Sequence, residues 1–243
     1  MILSVFLTVD CYAVDFKFGM QNYPPFNYSE NVKPAGPAVE ILMAVCAELK
    51  KTCEIKILPF RRVFYELDNG TLDGAFPLFN TPERREKYYM TQPMLNATYG
   101  FFVRKDSTWT FDTPYSLRDK TIATYGPSGS ATTAQDLAKM ADTPRFEMEV
   151  LASTMLRKLS EGRYGDNAVG FIALEVGAEY IKKEGISNLK TAGAFLKAPH
   201  FLALSRKTVT EADANQFDKT LEHLKTTGVI NAILTKYHLP LLD

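Results

Sequence analysis

The chain has 243 residues, enough for one large domain or two smaller lobes. Lys and Arg number 28 against 28 Asp and Glu, so the formal net charge is +0, without the basic excess of a nucleic-acid-binding surface. Hydrophobic residues make up 46% and aromatics include 16 Phe and 12 Tyr, which excludes disorder, and no apolar run reaches the ~18 residues of a membrane span.

The chain opens MILSVFLTVDCYAVDFKFGM. Ile2 to Leu7 is a short apolar run, and Cys11-Tyr12-Ala13 resembles a small-residue cleavage site. Residues 1–13 are therefore expected to be a shortened signal segment, with the mature chain starting near Val14; an N-terminal strand is the other reading. Phe16 to Met20 alternates as a strand. Tyr23-Pro24-Pro25-Phe26 must be an irregular loop, because consecutive prolines resist helix and ladder alike. Ala38, Ile41, Leu42, Val45 and Leu49 recur at helical spacing, and a strand runs from Glu54 to Leu58. Cys46 falls late in that helix and Cys53 just before that strand, so their ends can come within bridging distance. Two readings stand: a disulfide, which implies an oxidising compartment, or two buried free thiols.

Val63, Phe64 and Leu67 mark a second helix that stops at Asn69-Gly70, and Gly74 to Leu78 is a strand. Thr81 can cap a helix that starts at Pro82. Thr98 to Arg104 and Thr121 to Thr124 are strands. After the loop Gly126-Pro127-Ser128-Gly129-Ser130, a helix is expected near Thr132, with Gln135 completing a capping box. Strands at Phe146 to Val150, Val169 to Ile172 and His200 to Ser205 alternate with helices at Thr154 to Glu161 and Glu175 to Glu184. Two helices end the pattern, Glu211 to Thr227 behind a Thr210/Asp213 cap and Val229 to Tyr237.

Alternating strands and helices predict parallel α/β layers. LDNGTLDGAFPLF, from Leu67, and LSEGRYGDNAVGFI, from Leu159, share one plan: a helix ends at Gly, a turn carries an Asp, and a buried strand follows. A unit built twice suggests two lobes with a cleft between them, a favoured place for a small-molecule site.

Taken in order and spacing, several motifs resemble the periplasmic solute-binding proteins of family 3, the amino-acid-binding type. They are Tyr23-Pro24-Pro25-Phe26, Gly36 to Leu42, Asn69-Gly70-Thr71-Leu72-Asp73-Gly74-Ala75, Thr81-Pro82-Glu83-Arg84, Leu117-Arg118-Asp119-Lys120 and Gly126 to Ser130. The resemblance covers Phe16 to Tyr237. It implies a two-lobed α/β fold of the periplasmic-binding-protein-like type II, each lobe a central sheet flanked by helices. Two hinge crossings near Asn96 to Gly100 and Ala194 to Pro199 would join lobe one (residues 14–97 and 198–243) to lobe two (98–197). Family members with a disulfide at the spacing of Cys46 and Cys53 favour the bridge. The resemblance also implies a periplasmic monomer that closes on a carboxylate-bearing ligand and delivers it to a membrane ABC permease, with no cofactor, metal or catalytic residue.

Arg84 is the first candidate for the ligand's carboxylate, since a guanidinium grips one through two parallel charge-assisted bonds. The other reading is a surface ion pair with Glu83. Ser128, Gly129, Ser130 and Thr132 form the second site, where backbone N–H groups at a helix start attract an anion. Tyr23 and Phe60 match family positions at which aromatics sandwich the ligand. Pro77 to Asn80, Phe79 among them, would line the cleft floor, with Thr81 beside them. Arg62 faces the cleft in one branch of the family, against the alternative of a solvated helix face. One departure stands out. Leu174, with Glu175 adjacent, occupies the position of the acid that usually holds the ligand's ammonium, which places a standard α-amino acid in question. An enzyme on the same scaffold, dehydratase-like with Glu175 as general acid or base, and a detached sensor domain are the competing readings.

Overall fold

A computed structural model of the protein describes residues 14–142 and 145–242. The expected signal segment, residues 1–13 with Cys11, lies outside the described residues. Strand β1 (Phe16–Met20) leads through the proline loop into a small hairpin, β2 (Tyr28–Glu30) and β3 (Lys33–Ala35). Helix α1 (Pro37–Glu48) buries Ala38, Ile41, Leu42 and Val45, the stripe its spacing predicts. Then follow β4 (Cys53–Ile57), α2 (Phe60–Asp68), β5 (Gly74–Leu78), α3 (Pro82–Lys87) and β6 (Tyr88–Arg104). The second part of the chain holds β7 (Thr121–Tyr125), α4 (Gly129–Ala141), β8 (Arg145–Glu149), α5 (Ala152–Ser160), β9 (Ala168–Ala173) and α6 (Leu174–Lys183). Strand β10 (Leu189–Ser205) returns, and α7 (Glu211–Thr226) and α8 (Val229–Lys236) complete the fold. Cys46 and Cys53 are joined at a sequence separation of 7, which ties the end of α1 to the edge strand β4. By loop entropy such a crosslink contributes about 2 kcal/mol.

The strands form one 8-stranded sheet in the order β4-β1-β5-β10-β6-β9-β7-β8. The two central strands are 17 residues each and pair antiparallel. On one flank β5 joins β10; on the other β9 joins β6. The two copies of the sequence echo are α2–β5 and α5–β9, so the repeated unit sits beside the long pair on either side. Both of its strands are buried at every residue. That is why they read as continuous apolar runs rather than alternating ones.

The sequence predicts β6 only from Thr98 and β10 only from His200, and both are longer. Pro93 and Asn96 interrupt the apolar pattern of the first, and Gly193, Lys197 and Pro199 that of the second. Each segment is held by the other: Ala97 pairs with Ala198, Asn96 with Pro199, and Gly100 with Ala194. The two expected crossings are thus neighbours in one ladder. A side chain at Gly100 would sit 2.4 Å from the Gly193 carbonyl oxygen, so the strands approach there as only glycine permits.

A second difference concerns α4. It begins at Gly129 rather than near Thr132, and no Thr132/Gln135 capping box forms. Ser128 is the cap, its Oγ accepting from the Ala131 N–H at 3.1 Å. Thr132 lies within the first turn, exposed, its hydroxyl over the Ser128 carbonyl at 3.5 Å. Ser, Thr and Gly succeed one another here, so several residues satisfy the capping chemistry. Packing of Ala131 and Ala134 into the core selects the frame.

Candidate ligand-binding cleft

The candidate residues converge where the loops after β1, β5 and β7 meet the central strands. Tyr23, Phe60, Pro77, Phe79, Arg84, Ser128, Gly129 and Ser130 line one cavity, together with Gln21, Leu78, Tyr99, Tyr125 and His200. Its free volume is about 20 Å3, about one water's worth. Three candidates are not brought into it. Arg62 projects from α2, with its Nε donating to Glu66 Oε1 at 2.6 Å and its guanidinium over the Tyr65 ring. Thr132 is exposed. Thr81 caps α3, accepting from the Arg84 N–H at 3.3 Å, and so orients the residue that does line the cavity.

Arg84 is held without an acid. Its Nη1 donates to the Phe79 carbonyl at 2.7 Å, and its guanidinium lies 4.8 Å over the Phe64 ring. The expected alternative partner, Glu83, instead accepts from Lys87 at 3.0 Å. Among the described residues no carboxylate lies within ion-pair distance of Arg84, and burial pulls its pKa below the usual guanidinium range. A half-buried cation with spare donors favours an anion beside it. Facing it is the start of α4, where the first N–H groups have no acceptor within the helix. Ser128 Oγ donates to the Tyr125 carbonyl and pairs with Ser130 Oγ, each at 2.7 Å, so the loop is rigidly set.

Sequence reasoning missed Tyr99, Tyr125 and His200, which build the back wall. His200 Nδ1 lies 3.2 Å from the Ala198 carbonyl, so that nitrogen carries the proton and Nε2 accepts from the Tyr99 hydroxyl at 3.4 Å. Tyr23 then donates to Tyr99 at 3.0 Å, and Tyr125 lines the same cavity beside them. Burial raises the pKa of Tyr23 and Tyr99 and pushes Tyr125 up to about 12, so the wall presents neutral hydroxyls. The one signal in sequence was position: Tyr125 abuts the Gly/Ser loop, and Tyr99 and His200 sit at the two expected crossings.

Burial also holds the pKa of His200 down at about 4, with the Arg84 charge a smaller contribution in the same direction. The unfolded chain takes that proton near pH 6.5, the folded one not until about pH 4, so stability is lost as pH falls between them. Relative to His200→Gln, the protein is expected to lose about 3 kcal/mol over that window. Denaturant melts at stepped pH measure it. Parallel pH slopes for the two proteins would refute a buried neutral imidazole.

Neither Leu174, which stands where the family usually has an acid, nor the adjacent Glu175 is among the residues described as lining the cavity. Leu174 packs against the core beside Gly100. The Glu175 carboxylate accepts from the Thr98 N–H at 3.0 and 3.1 Å, clamping α6 to β6. Burial raises its pKa, and the Thr98 bonds pull the other way. No acidic residue is among those described as lining the cavity.

The family model for bacterial extracellular solute-binding proteins, family 3, matches residues 16–240. The chain belongs to that family. Solute-binding proteins of this family capture a small ligand outside the cytoplasm for transport. A curated relative, the probable amino-acid-binding protein YxeM of Bacillus subtilis (strain 168), is 27% identical over 224 residues, 89% of this chain and 80% of that protein. Among solved structures, an ancestral arginine-binding protein bound to arginine superposes with a TM-score of 0.77 at 21% identity, covering 91% of this chain and 96% of that one. A histidine kinase sensor domain with similarity to periplasmic binding proteins gives 0.77 at 22% identity, covering 92% and 96%. Both solved structures share the α/β fold with its central sheet flanked by helices.

Proposed function

We propose that this solute-binding protein captures a small carboxylate between two lobes, residues 14–97 with 198–243 and residues 98–197, and delivers it to a membrane ABC permease from the periplasm as a monomer. The observation that carries this reading is Arg84: a desolvated guanidinium without an acidic partner, in the same cavity as the N-terminus of α4. One anion bonded to both would draw the lobes together about the β6/β10 ladder, coupling capture to closure. The name of YxeM and the arginine bound to the ancestral protein favour an amino acid or a relative of one. The lining residues favour a ligand whose recognition rests on its carboxylate, because none offers an anion to an ammonium. Binding is favoured over catalysis because Glu175 is engaged with Thr98 and both ring nitrogens of His200 are engaged, by Ala198 and Tyr99.

A thermal-shift screen tests it, with α-amino acids set against the matched acids lacking the amine. A carboxylate at a hundredfold its dissociation constant is expected to add about 2.7 kcal/mol of stability. Shifts produced only by compounds without a carboxylate would overturn the reading.

A further inference from the structure

A groove of about 520 Å3 opens directly beside the cavity that holds Arg84. Ile57, Leu58 and Pro59 line it from the β4–α2 connection, and Pro127, Val150 and Leu151 from the loops after β7 and β8. Its lining is predominantly apolar, and Arg61 is the charged residue among those described. Val150 is 80% exposed and Leu151 59%, an uncovered apolar pair in the mouth of the groove. Gln21, Phe60 and Tyr125 line both spaces, so the groove and the cavity share a wall that these side chains form.

We propose that this groove receives the uncharged, apolar tail of the ligand whose carboxylate Arg84 holds, so that the natural ligand is a monocarboxylate with a hydrocarbon or aryl extension. The inference rests on the carboxylate reading above and adds the chemistry of the other end. The inner cavity has space for about one water, about 20 Å3 before any opening, whereas the groove is many times larger and must take most of any ligand. A tail leaving between Phe60 and Tyr125 covers Val150 and Leu151 and removes their side chains from water. A charged tail would find no opposite charge for an ammonium there, and a second carboxylate would find only exposed Arg61. Filling the groove also places ligand against both lobes at once, so the tail stabilises the closed form along with the head.

The test is calorimetric titration with acetate, butanoate, hexanoate, octanoate and 3-phenylpropanoate. Affinity is expected to climb up to about fourfold per added methylene until the groove is filled. Val150→Asp and Leu151→Asp, both at exposed positions, are expected to flatten that climb. Affinity independent of chain length, or a climb that survives both substitutions, would overturn the groove assignment while the carboxylate site stands. If none of these acids binds but a short α-amino acid does, the tail assignment falls alone. If no carboxylate of any kind binds, both readings fall.

Discussion

The Arg84→Ala variant is expected to lose at least about 100-fold in affinity for a carboxylate ligand, and to melt within about 4 °C of the parent when free. The binding loss follows from two charge-assisted hydrogen bonds, worth about 1.5–3 kcal/mol each. The small effect on the free protein follows from what Arg84 touches. Its polar contact within the chain is the Phe79 carbonyl, and it also stacks on Phe64. Burial already works against its charge, so removing it relieves a desolvation penalty while giving up one hydrogen bond. Calorimetric titration and differential scanning fluorimetry on the same preparations separate the two effects. A variant that binds within about tenfold of the parent would remove Arg84 from the site, since a guanidinium bridging to a carboxylate cannot be lost so cheaply.

Gly129→Ala is expected to weaken binding by about 5- to 150-fold through the position of its loop. A Cβ at Gly129 would lie 2.2 Å from Cδ2 and 2.5 Å from Cε2 of Phe79. That ring has little room to yield, being packed 4.7 Å from the His200 ring and 5.2 Å from the Tyr99 ring, both of them buried. The loop of α4 must therefore retreat from Phe79, which opens the cleft. Overpacking of this kind costs about 1–3 kcal/mol in the closed form and nothing once the lobes part. The population able to close falls accordingly, and apparent affinity falls with it. Small-angle scattering should show the ligand-induced compaction of the parent and its absence in the variant at matched ligand concentration. Normal compaction would mean that the Phe79–Gly129 contact does not govern closure.

Much of the fold was legible because its determinants are local. The stripe Ala38, Ile41, Leu42 and Val45 specifies a helix wherever it finds a core. Thr81-Pro82 and Thr210/Asp213 mark helix starts by hydrogen bonds that span three residues, and both form as expected. The α4 start was misplaced by three residues because Ser128, Ser130 and Thr132 are chemically equivalent caps until the helix packs. The lengths of β6 and β10 were illegible for a different reason. Ladder partners 100 residues apart supply the hydrogen bonds that Pro93, Gly193 and Pro199 seem locally to forbid.

The candidate site divides along the same line. Amino-acid order alone placed the Thr81 cap that aims Arg84 and the Ser128–Ser130 loop, because each is built from residues within a few positions of one another, while it left Cys46 and Cys53 open between a disulfide and free thiols. Only the tertiary structure decided that no carboxylate among the described residues pairs with Arg84, that Glu175 is committed to Thr98, and that Tyr23, Tyr99 and His200 form one hydrogen-bonded chain with Tyr125 beside it. Those facts depend on which segments the long central strands bring face to face. Burial there strips water from each polar group and forces it onto whatever partner the fold supplies.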